Sequence, residues 1–338
     1  MKRVKGRLLI NILHILSILI LFGSLFVSVE TGTTDTSLTK TFLSQNRSEE
    51  DVKVILIRLS QSLAVLLSGI SLSVSGLVLQ RITKNNLADP GITGVLSGSV
   101  LGITIMSAFG IASYLGFSFV RVAFSFIFGF LAGLIFTLVS SLVRDSLKTL
   151  IFGVMLNSFI SGLIILIQSL LDPYKLQQTF SFLLGSVVIS DFEFLLVEYS
   201  VVILVILILI LLSRKLDVIS LGDTDSHVLG INVRLWRTVF IVITVVMSST
   251  AVSLTGVIGF VGFVIPNVVT ILSYRFISFS TKDVIIFSSV IGGIFLTLCY
   301  IIARKLIPFL EIPLGVITGL IGAPIFALIL LRLDKSKQ

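Results

Sequence analysis

Charge is scarce in this sequence: 12% of its 338 residues are Asp, Glu, Lys or Arg, against roughly 25% in soluble domains. Hydrophobic residues make up 55%, and the mean hydropathy is +1.14. That balance excludes a water-soluble globular domain and leaves an integral membrane protein. Cysteine is nearly missing. The single Cys299 excludes an internal disulfide, and with only His14 and His227 there is no His/Cys cluster to hold a metal. No Gly-Lys dipeptide occurs, so the G-x-x-x-x-G-K-[ST] phosphate loop is missing and the chain does not hydrolyse ATP by that chemistry. Ionisable residues are missing from the centres of the apolar runs, with Arg58, Glu193, Glu198 and Arg304 falling near their ends. Proton-driven transport, which uses an intramembrane ionisable group, is therefore not expected. Sodium held by backbone carbonyls would leave no such mark. Energy for uphill transport would have to arrive through another chain.

Apolar runs of about 17 to 25 residues recur along the whole length, enough to cross roughly 30 Å of hydrocarbon as helices. No stretch alternates like a transmembrane barrel strand, and in lipid a helix satisfies its backbone within one segment. The fold class is an all-α polytopic membrane protein with ten transmembrane helices, over 8–29, 54–80, 92–111, 120–142, 149–170, 194–213, 238–258, 260–276, 283–303 and 313–331. The start, MKRVKGR before Leu8, has the charge layout of a signal peptide, but no small-residue cleavage site follows, so an uncleaved first helix is expected. With the N-terminus inside, 17 of the 25 Lys and Arg fall on the cytosolic side and 8 outside. This split fits an even number of spans with both termini cytosolic. The net charge of +8 is a topology signal and implies no nucleic-acid partner.

Several stretches do more than span. Gly256 to Thr270, GVIGFVGFVIPNVVT, gathers Gly256, Gly259, Gly262 and Pro266. Gly256 and Gly259 are expected to let the seventh span reverse without a polar loop, Gly262 to let the next helix pack closely, and Pro266 to sit in a first turn or at a kink. Small residues are dense at Gly69 to Gly76, at Gly94, Gly98 and Gly102, at Gly129 and Gly133, and at Gly315, Gly319 and Gly322. Plain helix packing accounts for most of them. Asn157, Ser158, Ser161 and Gln168 put polar atoms along the fifth span, either to bond neighbouring helices or to line a wet path. In the loop from Arg214 to Arg237, Asp223 is placed to N-cap a short helix and Gly230 to end it, with Leu221, Val228 and Leu229 on an apolar side. Such a helix suits a partner protein or, alternatively, the lipid headgroups.

The segment LSVSGLVLQRITKNNLADPGITGVLSGSVLG, Leu72 to Gly102, resembles the signature of the FecCD/BtuC-type permeases, membrane subunits of ABC importers for iron-siderophore complexes, haem and cobalamin. LGINVR (Leu229 to Arg234), GVIGFVGFVIPN (Gly256 to Asn267) and EIPLGVITGLIGAPIFALILLR (Glu311 to Arg332) match further family segments in the same order. The resemblance covers nearly the whole chain from Arg58 onward. It implies a single transmembrane permease domain over 1–338 with the BtuC-like, type II importer fold, set in a bacterial cytoplasmic membrane. It implies a second permease subunit, two ATPase subunits that bind ATP and Mg2+, and an extracytoplasmic binding lipoprotein or periplasmic protein; no cofactor or metal is expected in this chain. On the same footing, the 214–237 loop is the coupling element to the ATPase, with Asp223, Ser226, Val228, Leu229 and Gly230 its contact residues. The fifth helix lines the translocation path, and Arg58, Gln61 and Arg304 face the binding protein. The sequence departs from the family pattern at Gln61 (arginine), Asn86 (proline), Asn267 and Thr270 (histidine and arginine) and Tyr300 (aspartate). Loss of a docking arginine at Gln61 suggests a heterodimer with a different paralogue. Ferric siderophores are the expected cargo, with haem or cobalamin the alternative within the family and a secondary transporter the alternative from another class.

Overall fold

The computed structural model describes residues 2–32, 49–111, 117–143, 146–187, 192–276, 279–307 and 311–335. Their helices are α1 (Lys2–Glu30), α2 (Glu49–Thr83), α3 (Val95–Phe109), α4 (Phe117–Leu142), α5 (Ser146–Gln168), α6 (Pro173–Leu183), α7 (Phe192–Leu221), α8 (Asp223–Val228), α9 (Val233–Thr255), α10 (Val261–Phe276), α11 (Thr281–Lys305) and α12 (Leu314–Lys335), with a 3-10 turn at Pro90–Thr93. Among the described residues α1, α2, α4, α5, α7, α9 and α11 are long and apolar enough to cross a membrane, and α3, α10 and α12 are shorter apolar helices. These ten match the ten expected spans one for one.

Two elements differ from expectation. The sixth span does not end at residue 213; α7 continues past Arg214 and Lys215 to Leu221, so the first third of the supposed 214–237 loop belongs to that helix. Short α6 was not foreseen, because eleven amphipathic residues make no hydropathy peak. Its start is nonetheless written locally: the Asp172 side chain accepts the Lys175 N–H at 2.9 Å and Pro173 occupies the first turn.

Helix α2 is the centre of the bundle, packed by α1, α7, α9, α10 and α11. Its sequence explains why. In lipid, burial gains little from apolar area alone, and close helix approach requires small residues. Gly69 packs on the Gly292 backbone of α11, Gly76 on the Gly262 carbonyl of α10, and the Ser68 and Ser73 hydroxyls donate across to Ala251 O at 3.1 Å and Ser288 O at 2.8 Å. A second group joins α3 to α4, where Gly98 lies against Phe128 O and Ala132, and Gly102 against Phe124 O. The packing role expected for these small residues holds, whereas Gly319 has nothing near it. Helices α5 and α7, without such stripes, turn Leu, Ile and Phe side chains outward.

One end of the bundle, called lower here, holds Thr83, Leu142, α8 and the starts of α9 and α11. The other, upper, end holds Glu30, Arg58, Arg304 and Glu311.

Candidate functional site

The connection from α2 to α3 does not stay at the lower end. Pro90 and the Leu72 carbonyl both lie against Gly262. Leu72 is eleven residues before the end of α2, so segment 84–94 climbs roughly 16 Å back into the bundle at 1.5 Å per helical residue. An irregular backbone there needs donors for its carbonyls, and three side-chain amides from three helices supply them. Gln80 of α2 donates to Ala88 O at 3.4 Å, Asn157 of α5 to Gly91 O at 2.9 Å, and Asn267 of α10 to Asn86 O at 2.8 Å.

The same amides repair α10. Proline at position 266 has no N–H to give the carbonyl four residues back, that of Gly262. Gln80 Nε2 fills this gap at 3.3 Å and also reaches Phe263 O at 3.3 Å, which accepts from Asn267 Nδ2 at 2.8 Å as well. Pro266 thus lies inside a helix at a point where Gln80 and Asn267 stand in for the backbone. Replacing Gln80 by leucine leaves buried carbonyls without a donor and is expected to destabilise the fold by about 2 kcal/mol. A lowered thermal midpoint of the purified protein in detergent is the expected readout, and an unchanged midpoint contradicts the assignment.

The two readings of Asn157 both apply. It is tied to Gly91 O, to Gly153 O at 3.0 Å and, as acceptor, to Ser97 Oγ at 2.6 Å. It also lines an open groove of about 610 Å³ with Asp89, Ser158 and Ser161. Gln168 does not reach that groove; its amide meets Thr179 Oγ1 of α6 at 3.4 Å. Asp89 caps the 3-10 turn, its Oδ1 accepting Gly91 N–H at 2.8 Å. Sequence reasoning passed over both Gln80 and Asp89.

Above the groove three chain segments cross on glycine. Gly185, Gly256 and Gly315 leave no room for a Cβ against one another's backbones, and Val257 N–H donates to Phe182 O at 3.1 Å and Leu314 N–H to Gly185 O at 2.9 Å. Gly256 has φ +69, so it does make the turn after α9. Gly259 does not: it is not left-handed and nothing crowds it, and Phe260 takes the second positive φ, +69. Gly262 packs as expected, 2.6 Å from Pro90 Cδ for a built Cβ.

At the lower end α8 is fixed from behind and bare in front. Gly222, not Asp223, is the N-cap; Asp223 is the first helical residue and pairs with Arg237 of α9 at 2.7 Å. The Ser226 hydroxyl is buried and donates to Val218 O at 2.8 Å. Gly230, φ +75, ends the helix as expected: its N–H meets His227 O and the Ile231 N–H meets Ser226 O, both at 3.0 Å. Val228 and Leu229 are 83% and 58% exposed.

Comparison with known proteins decides the family. The model of the FecCD transport family matches residues 15–332. The chain belongs to the FecCD transport family. A Helicobacter pylori protein named "Probable iron chelatin transport system permease protein" is 32% identical over 93% of this chain and 94% of its own length. The hemin transport system permease protein of Yersinia pestis is 28% identical over 99% of both. Among solved structures, one described as "An inward-facing conformation of a putative metal-chelate type ABC transporter" aligns with a TM-score of 0.83 and 28% identity, covering 95% of this chain and 99% of that one.

Against the FecCD pattern, the upper end gives the departures a physical meaning. Gln61 and Tyr300, two of the departures expected from the resemblance, face each other: Tyr300 Oη donates to Gln61 Oε1 at 3.1 Å. Gln61 is buried within the chain. Arg58 and Arg304 are not solvated outer-face charges. They are 2% and 6% exposed, Gly32 lies against the Arg58 guanidinium, and Arg304 Nε donates to Glu311 at 3.2 Å beneath the Tyr300 ring. The half-exposed group there is Glu311. Asn267, another of the expected departures, is the amide that holds Asn86.

Proposed function

We propose that this chain is the transmembrane permease subunit of an ATP-binding-cassette importer that takes up ferric-siderophore complexes delivered by an extracytoplasmic binding protein. The observation that carries it is α8: a short helix locked to α7 and α9 through Ser226 and the Asp223–Arg237 pair, yet presenting Val228 and Leu229 bare. In this reading the ATPase subunits, which bind ATP and Mg2+, cover those side chains. Hydrolysis belongs to them and none to this chain. Because α7 is unbroken from Phe192 to Leu221, a displacement at α8 passes rigidly to its far end beside α2 and α9. The groove under Asn157, Ser158 and Ser161 is the wall of the path, closed by a second permease subunit. The lower end is cytosolic, which puts both termini in the cytosol of a bacterial cytoplasmic membrane, and the upper cluster of Arg58, Gln61, Arg304 and Glu311 lies beneath the docked binding protein.

Haem import is the second reading, favoured by the hemin permease of Yersinia pestis; cobalamin import follows from the same FecCD membership. The test is ATPase activity of the reconstituted complex with its binding protein loaded with a ferric siderophore, haem or cobalamin in turn. Stimulation by the ferric siderophore is expected, and stimulation by haem or cobalamin alone would replace the cargo assignment.

A further inference from the structure

Among the described residues lining the α5 groove, Asp89 is the ionisable one; it lies there with Asn157, Ser158 and Ser161 and the apolar Ile92, Val154 and Ile165. Its Oδ1 accepts the Gly91 N–H, and among the described residues no ion pair to it is seen. Its position is over-determined. The turn it caps is fixed by Asn157 on Gly91 O, and the residue before it, Ala88, is held by Gln80. The rest of the described lining is uncharged, two serines and an asparagine among apolar side chains and glycines. A single carboxylate in a wall of that kind sets the sign of the local potential, and in a partly desolvated site its effect on a charged solute is large.

We propose that Asp89 is a cargo-facing specificity residue, whose carboxylate disfavours anionic chelates in the path relative to neutral ones. This rests on the groove being the path wall in the importer reading. In a symmetric pair of permeases the group would act from both walls.

Asp89→Asn keeps an oxygen for the Gly91 N–H and removes only the charge. The experiment compares wild type and Asp89→Asn, each reconstituted with ATPase and binding protein, for uptake of a neutral ferric tris-hydroxamate and an anionic ferric tris-catecholate. The anionic-to-neutral uptake ratio is expected to rise about tenfold in the variant. Equal ratios in the two proteins overturn the proposal. Carbodiimide labelling of the purified wild-type permease, read as modification of the peptide that carries Asp89, needs no transport. Labelling supports a groove-facing carboxyl, and an Asp89 that stays unmodified while exposed carboxylates react overturns it. Import of neither chelate would count against the importer reading, with the labelling still deciding this one.

Discussion

Replacing Gly76 by alanine is expected to remove most of the folded protein from the membrane. A Cβ at position 76 would run into the Gly262 carbonyl oxygen, a backbone atom that cannot rotate away. Helix α10 would have to retreat from α2, and its retreat has linked consequences. Pro90 lies on Gly262, so segment 84–94 moves with it, and Gln80 loses its hold on Gly262 O and Phe263 O. Overpacking alone costs about 1 to 3 kcal/mol, and freeing the buried carbonyls adds to this, for a total of about 3 kcal/mol or more. Quantification of detergent-extracted, monodisperse protein by size exclusion checks the result. Gly319→Ala, in open space, is the matched control and is expected to be neutral. Equal yields of the two variants would contradict the packing account.

Changing Leu229 to aspartate is expected to abolish uptake while ATP hydrolysis continues. Leu229 is the C-cap of α8 and is more than half exposed, so the fold of the permease does not depend on its side chain. In the assembled complex the same side chain would be buried against the ATPase, where an unpaired carboxylate costs a few kcal/mol. That is enough to slacken one contact without dispersing an interface of ordinary size. The expected result is co-purification of the ATPase, hydrolysis within about a factor of three of wild type, and a fall in uptake of at least about tenfold. Unaltered uptake would remove α8 from the coupling role.

The ten apolar helices were legible because hydropathy over a bilayer-length window is a strong signal, and the end of α8 was legible because Gly230 is needed at a positive φ. Other features were hidden for physical reasons. Segment 84–94 reads as an ordinary polar loop, since the carbonyls that Gln80, Asn157 and Asn267 satisfy carry no residue-type signature. A buried amide in a span announces that it needs a partner, not which one. Arg58 and Arg304 sit near helix ends, where a charge is ordinarily solvated. Their burial depends on Gly32 and Glu311, both outside the helices that carry them. The exchange at Gln61 was visible, but its meaning was not, because Tyr300 is 239 residues away in sequence and hydrogen-bonded in space. Phe260, rather than Gly259, taking the left-handed turn runs against the usual preference. Packing of the neighbouring segments, including Gly322 against the Phe260 side chain, fixes it there.

The central claim is that this chain moves cargo only when another subunit hydrolyses ATP. The measurement that bears on it most directly is accumulation of a ferric siderophore in sealed proteoliposomes holding the permease, the ATPase and the loaded binding protein. ATP and a non-hydrolysable analogue are compared on the ATPase side, each with and without a sodium or proton gradient. Accumulation that requires hydrolysable ATP and ignores the gradients is the predicted result. Accumulation without ATP, driven by either gradient, would contradict it and make the chain a secondary transporter.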